Sequence, residues 1–403
     1  KRLQGHEYNV AIILVEELDF RRRDYSKLYR PGQTIILGRD VFTLSCRVFV
    51  KSQYKAWLNE LKDRLRGKTQ SAILSKFFSR RVRPVDPEPI QTIEQKKTNL
   101  DETIGQFVTS EDAEHVAHIL DKLRPSIVLF DTIFLSNILD FLHTEIHSMV
   151  ITHDVFYRRC QSYHEKGYRV TPQGFTRDRE AALLSKFDAI IAIQDDEARE
   201  LRKMVSSREV ITVGMPVTFT DTDRKLRARG RFVFVGSWGL TNADGVRWFL
   251  ERVWPVVRQA IPYAEFHIHG SVCGMLEGSA NKGVIVHGFT SDLSVAYRNA
   301  TFAIAPLTIG SGLKIKILEY LSFGLPCVTT TIGSAGFRSS PKAPLLIADD
   351  ETAFAAHCIR LCEDELLLHE LQNHAEEYVQ NYNPTEVFMQ LDQYLARAKG
   401  KTA

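Results

Sequence analysis

Residues 306–336 read PLTIGSGLKIKILEYLSFGLPCVTTTIGSAG, and the rest of the chain is legible from this stretch outward. It begins where an apolar run, Phe302-Ala303-Ile304-Ala305, ends. A glycine-broken loop follows, Gly310-Ser311-Gly312-Leu313, after which Ile315, Leu318, Tyr320 and Leu321 fall at helical spacing. Gly324-Leu325-Pro326 stops the helix, and Cys327-Val328-Thr329-Thr330 resumes an extended, β-branched run. Strand, small-residue loop and helix in that order leave unpaired backbone N–H groups at the end of a parallel strand, where the helix dipole favours an anion such as a diphosphate. Lys314 and Lys316 put positive charge into the first helical turn, against the dipole, which calls for a negative ligand there. Glu319, one turn further on, is placed to accept hydrogen bonds from a sugar or ribose hydroxyl.

Away from this stretch the pattern is regular α/β. An apolar run over residues 8–17 reads as a first buried strand. A helix is expected over 110–123, a strand over 126–130, a helix over 134–145 and a strand over 149–152. Helix 177–186, strand 189–193, helix 195–204 and strand 209–213 continue the alternation, and strands separated by single helices imply a parallel sheet covered on both faces. Gly214-Met215-Pro216-Val217 and the polar run to Arg231 interrupt it. A second α/β unit follows, with strands over 231–235, 264–268, 284–286, 302–305 and 345–348, a helix over 244–259 and a long one over 351–379. Asn383-Pro384 punctuates a last amphipathic helix. A chain of 403 residues exceeds what one core serves, so the expected organisation is a first Rossmann-like domain over 1–217, a second over 218–383, and a terminal helix over 384–403 returning to the first.

Composition excludes several classes. Lys plus Arg number 52 and Asp plus Glu 49, a net charge of +3 that does not point to nucleic acid. The six cysteines show no framework spacing and read as reduced core thiols. No apolar run approaches the roughly 20 residues that span a bilayer, and KRLQGHEYNV has no signal-peptide core, so a cytoplasmic protein is expected. Residues 51–100 carry 12 Lys plus Arg against 5 Asp plus Glu. Within them Trp57, Leu58, Leu61, Leu65, Phe77 and Phe78 recur among basic residues, either a solvated helix face or, over 51–83, a dock for the inner membrane face or an anionic acceptor. The proline-rich run over 83–89 is a loop.

Three motifs in order carry a family resemblance: FVFVGSWGLTNADGVRWFLERVWP at 232–255, VHGFTSDLSVAYRNA at 286–300, and the opening stretch. Over roughly 110 residues they resemble the nucleotide-sugar domain of the family 4 (group 1) glycosyltransferases. The resemblance implies a GT-B fold, two Rossmann-like domains facing a cleft, and transfer of a sugar with retention of configuration from a nucleotide-sugar donor to a glycan or lipid-linked hydroxyl. It implies no obligatory metal and no cofactor beyond the donor. Gly312, Leu313 and Lys314 would hold the diphosphate, with Gly310, Ser311 and Lys316 also on the donor, Ser311 able to hydrogen-bond a sugar hydroxyl, and Glu319 on the ribose; Gly288 and Phe289 would meet the base, and Gly236 and Ser237 would sit beside the phosphates. His153, at the end of strand 149–152, would contact the transferred sugar, with Asp154 orienting it or capping the next turn.

Two departures from the family pattern matter. Many members carry paired acids eight positions apart, and the partner of Glu319 here is Ser311. Many also carry an Arg and a Lys after the first strand of the donor domain, where this chain reads Gly236-Ser237-Trp238-Gly239-Leu240-Thr241-Asn242. Phosphate charge must then come from elsewhere, and Lys314 is the expected source. A glycosyltransferase-like scaffold and a nucleotide-sugar epimerase on the same fold are the alternatives. His143 and His147, four apart on the helix expected there, lack the zinc-protease acid. His267 and His269 share one face of a strand, the ordinary setting of structural histidines.

Overall fold

Among the described residues the apolar runs pair into two six-stranded parallel sheets. The computed structural model describes residues 10–15, 41–46, 101–125, 127–221, 229–276, 281–290, 292–337 and 343–402. The basic segment 51–100, the proline-rich loop within it, and Glu16 and Glu17 after the first strand lie outside the described residues.

The first sheet holds β1 (Val10–Val15), β2 (Val41–Cys46), β4 (Ile127–Phe130), β5 (His147–Thr152), β7 (Ala189–Ala192) and β8 (Glu209–Thr212), paired in that order. A small pair, β3 (Asp101–Thr103) and β6 (Arg169–Thr171), stands apart from it. The second sheet holds β9 (Arg231–Val235), β10 (Glu265–His269), β11 (Val284–Gly288), β12 (Phe302–Ala305), β13 (Cys327–Thr329) and β14 (Leu345–Ile347). Its spatial order is β11-β10-β9-β12-β13-β14. Counted from β9, that is the doubly wound order in which the chain reverses direction between the first and fourth strands, so the ligand crevice opens beyond the ends of β9 and β12. The runs IVLF, AIIA and FAIA are buried at every position, as strands covered on both faces must be. Phe232 anchors the second core, its ring stacked on Phe302 at 4.6 Å and edge-on to Trp254 at 5.5 Å.

The helices are α1 (Ser110–Leu123), α2 (Phe156–Glu165), α3 (Arg177–Leu184), α4 (Asp195–Met204), α5 (Leu240–Trp248), α6 (Trp254–Ala260), α7 (Ser294–Asn299), α8 (Ile315–Ser322), α9 (Glu351–Glu363), α10 (Glu365–Val379) and α11 (Pro384–Thr402). α11 lies along β8: Thr212 N donates to Gln390 Oε1 at 2.8 Å, and Tyr394 OH is 2.6 Å from His147 Nε2. Cys160, Cys273, Cys327, Cys358 and Cys362 are buried free thiols. No helix among the described residues is long and apolar enough to cross a membrane.

Three local expectations are corrected. The helix expected over 134–145 is a 3-10 run, Ile133–Phe141, because Asp121 takes the backbone N–H groups of His143 and Thr144 and turns the chain out. His143 and His147 therefore do not share a helix. The helix expected over 244–259 starts at Leu240 and passes through a π turn, Phe249–Val253, ending two residues before Pro255, whose missing N–H disrupts the regular ladder. The long helix over 351–379 breaks at Asp364, whose carboxylate caps Leu367 N at 2.9 Å and starts a second helix.

Candidate active site

Three glycines level the ends of β9, β10 and β11. Gly236 N donates to His269 O at 3.0 Å, and Gly270 N donates to Gly288 O at 2.7 Å. Gly270 has φ +100, and a Cβ there would fall 2.1 Å from Gly236 O, so no side chain fits between these backbones. Ser237 O accepts from Asn242 Nδ2 at 2.8 Å, which curls the loop after β9 into the start of α5. Phe289, just past Gly288, is 83% exposed.

From the neighbouring β12, the glycine loop reaches across to the first domain. Gly310 N donates to Ser162 Oγ at 3.1 Å, and Ser311 Oγ donates to Asp154 Oδ1 at 2.5 Å. Gly312, at φ +77, passes so close that an added Cβ would meet the Asp154 carboxyl carbon at 3.2 Å. Tyr163 OH and Thr241 Oγ1, 2.7 Å apart, and Tyr168 OH donating to Asp244 Oδ1 at 3.1 Å, tie the same two domains beside the loop. The departure at position 311 thus has a physical reason. An acid there would face the Asp154 carboxylate at hydrogen-bond distance, whereas the hydroxyl donates to it.

The two lysines part company. Lys314 Nζ folds back on the loop, donating to Ser311 O at 2.5 Å and Gly312 O at 2.7 Å. Lys316 Nζ reaches the loop after β9, donating to Asn242 Oδ1 at 2.5 Å and lying 4.2 Å from the Phe234 ring centroid. Charge absent from 236–242 is therefore delivered to that loop from α8. Glu319 is buried, its Oε2 accepting from Tyr297 OH at 3.4 Å. Leu313 lies beneath the loop in the core shared by both sheets.

On the first-domain side, His153 follows β5. Its Nε2 lies 2.5 Å from Asp131 O and 3.0 Å from Asp131 Oδ1. Both are acceptors, so Nε2 carries the hydrogen. Burial alone would lower the His153 pKa, but the Asp131 charge and hydrogen bonds outweigh it, and the pKa is raised. Arg159 Nη1 stands 3.8 Å from Asp154 Oδ2, while Arg158 pairs with Glu200 at 2.8 Å on the rim. The N-terminus of α2, without a cap of its own, is satisfied by Glu180, which accepts from Phe156 N at 2.9 Å and Tyr157 N at 2.8 Å. Burial raises Glu180 to about 7.

Sequence reasoning missed Asp131, the destination of Lys316, and Glu197. Glu197 sits on α4 with both carboxylate oxygens buried and without a hydrogen-bond partner among the described residues. Burial and then the charge of Asp154 push its pKa up to about 8. The signal was faint: in DDEARELRKM it reads as one more solvated acid.

Residues 229–364 match the model of the family described as Glycosyl transferases group 1. A Klebsiella pneumoniae protein described as an uncharacterized 44.6 kDa protein in the cps region is 27% identical over 216 residues. That match covers 51% of this chain and 55% of the relative, so the two align over about half their lengths. Among solved structures, Anabaena HepE in complex with UDP and glucose superposes with a TM-score of 0.60 at 11% identity, covering 97% of this chain and 100% of that one. Sucrose-phosphate synthase from Thermosynechococcus elongatus gives 0.59 at 17% identity, covering 73% and 78%. These likenesses show the fold: two Rossmann-like domains in the GT-B arrangement.

Glu197 offers a pH test. Its folded pKa lies above the ordinary 4.5, so the folded state favours the protonated acid, and stability is lost as pH rises from 4.5 through about 8. The thermal midpoint of Glu197→Gln relative to wild type should rise between about pH 5 and pH 8 and then level off. A difference that stays flat with pH would show that Glu197 is not the buried, unpaired acid described.

Proposed function

We propose that this chain is a retaining glycosyltransferase that moves a sugar from a nucleoside diphosphate donor to the hydroxyl of a glycan or lipid-linked acceptor, without a metal in the transfer step. What carries this reading is the placement of the Gly310–Gly312 loop, Lys316 and Glu319 at the crevice between β9 and β12, inside the segment that matches the group 1 family. The diphosphate rests on the N–H groups at the start of α8, with Lys316 supplying charge next to the loop 236–242. Lys314 holds the glycine loop in shape through its carbonyls and adds charge nearby. Glu319 accepts the ribose hydroxyls, and Gly288 and Phe289 border the base.

His153 and Asp154 face this wall from the first domain. In the transfer, the bond from the anomeric carbon to the phosphate oxygen breaks and the acceptor oxygen bonds to the same face of that carbon. The acceptor proton passes to the departing phosphate oxygen. The protein's part is to stabilise charge on that oxygen by fixed dipoles and ammonium groups, while His153 and Asp154 hold the sugar. The relative from the cps region supports a glycan acceptor. The basic segment 51–83, outside the described residues, supports one presented at the inner membrane face.

Lys316→Ala and Glu319→Ala should each lower donor turnover about 10²-fold or more, and Lys314→Ala by less, with folds intact. A nucleoside diphosphate at 100 times its Kd should stabilise wild type by about 2.7 kcal/mol. Wild-type turnover in Lys316→Ala or Glu319→Ala contradicts the assignment. No shift with any nucleotide favours the scaffold alternative, and a changed sugar without acceptor favours the epimerase. Co-sedimentation with vesicles should increase with anionic lipid, and indifference to it would remove the membrane-facing acceptor.

A further inference from the structure

Along β10, Phe266 and Ile268 enter the core, and Glu265, His267 and His269 line the opposite face. β11, the edge strand beside it, adds His287. One ring nitrogen from each of His267, His269 and His287 falls within 4.8 Å of the others. This cluster lies outside the set of residues assigned to the donor.

The hydrogen bonds around it set the tautomer of His267. Glu265 Oε2 accepts from Arg231 Nε at 2.9 Å and Arg231 Nη2 at 2.8 Å, which fixes the carboxylate and balances the guanidinium charge. The same oxygen lies 3.2 Å from His267 Nε2, so that nitrogen carries the hydrogen and Nδ1 keeps its lone pair. His267 Nδ1 points at His287 Nε2, 2.9 Å away. His269 Nδ1 meets Thr290 Oγ1 at 3.0 Å. A carboxylate behind a histidine, setting its tautomer and aiming its other nitrogen, is the outer-shell arrangement of metal-ligating imidazoles. The rings of His269 and His287 stack at 4.1 Å and 3°, so a shared ion requires one ring to turn, and His287 is exposed and at the sheet edge.

We propose that His267, His269 and His287 bind a divalent cation of the zinc class, with Glu265 as the outer-shell carboxylate. Three neutral imidazoles suit zinc, nickel or copper and not magnesium or calcium, and water completes a tetrahedral shell. The ion clasps β11, which pairs with one strand among the described residues, to β10 just before Gly288. It is a structural clasp at the base-facing end of the sheet, separate from the group-transfer chemistry.

The test is isothermal titration of zinc into the full, tag-free chain after chelator treatment, with magnesium as control. One equivalent should bind with Kd on the order of micromolar or tighter and raise the thermal midpoint, and magnesium should do neither. His267→Ala combined with His287→Ala should remove that equivalent, and Glu265→Gln, which keeps all three rings, should weaken it about 10- to 100-fold. Absence of zinc binding in wild type, or undiminished binding in the double variant, would overturn the proposal. Undiminished binding in Glu265→Gln would overturn the outer-shell role.

Discussion

The hydrogen bond from Ser311 to Asp154 is the constraint on which the cleft depends. It joins the loop after β12 to the residue that follows His153 beyond the end of β5, and it brings Gly312 to within 3.2 Å, as a virtual Cβ, of the same carboxyl group. Position 312 must therefore lack a side chain, and position 311 must donate. The first follows from φ +77 at Gly312 together with the nearby carboxyl group, and the second from that buried carboxylate. Once the loop is held this way, the start of α8 is fixed, and the directions of Lys314, Lys316 and Glu319 are fixed with it.

Charge is arranged economically around that contact. Asp154, Glu197 and Glu180 are buried acids on the first-domain side, and only some of their oxygens have partners. Such groups are costly when ionised, which is why burial raises Glu180 and Glu197. Facing them are Arg159 from α2 and the lysines of the second domain.

Much of this was legible in the sequence. Strands 231–235 and 302–305 and helix 195–204 coincide with expectation, because each is an apolar or periodic run bracketed by polar residues. The break at Asp364 was not legible, since a local cap bond and no proline or glycine causes it. The direction of Lys316 was not legible either: both lysines of KIK look alike until Asn242, 74 residues away in sequence, supplies an acceptor. His287 joined His267 only when β11 was seen to pair beside β10. What the chain hides is which distant residue answers a local charge.

The central claim is that the donor wall is built from both domains across the Ser311–Asp154 contact. Calorimetric titration of the best-binding nucleoside diphosphate into Ser311→Asp, Asp154→Asn and the double variant tests it directly. Like charges at this distance should weaken binding by Ser311→Asp about tenfold or more, equivalent to about 1.4 kcal/mol, and Asp154→Asn added to it should restore most of the loss. Wild-type affinity in Ser311→Asp, or losses in the two single variants that simply add in the double, would contradict the account.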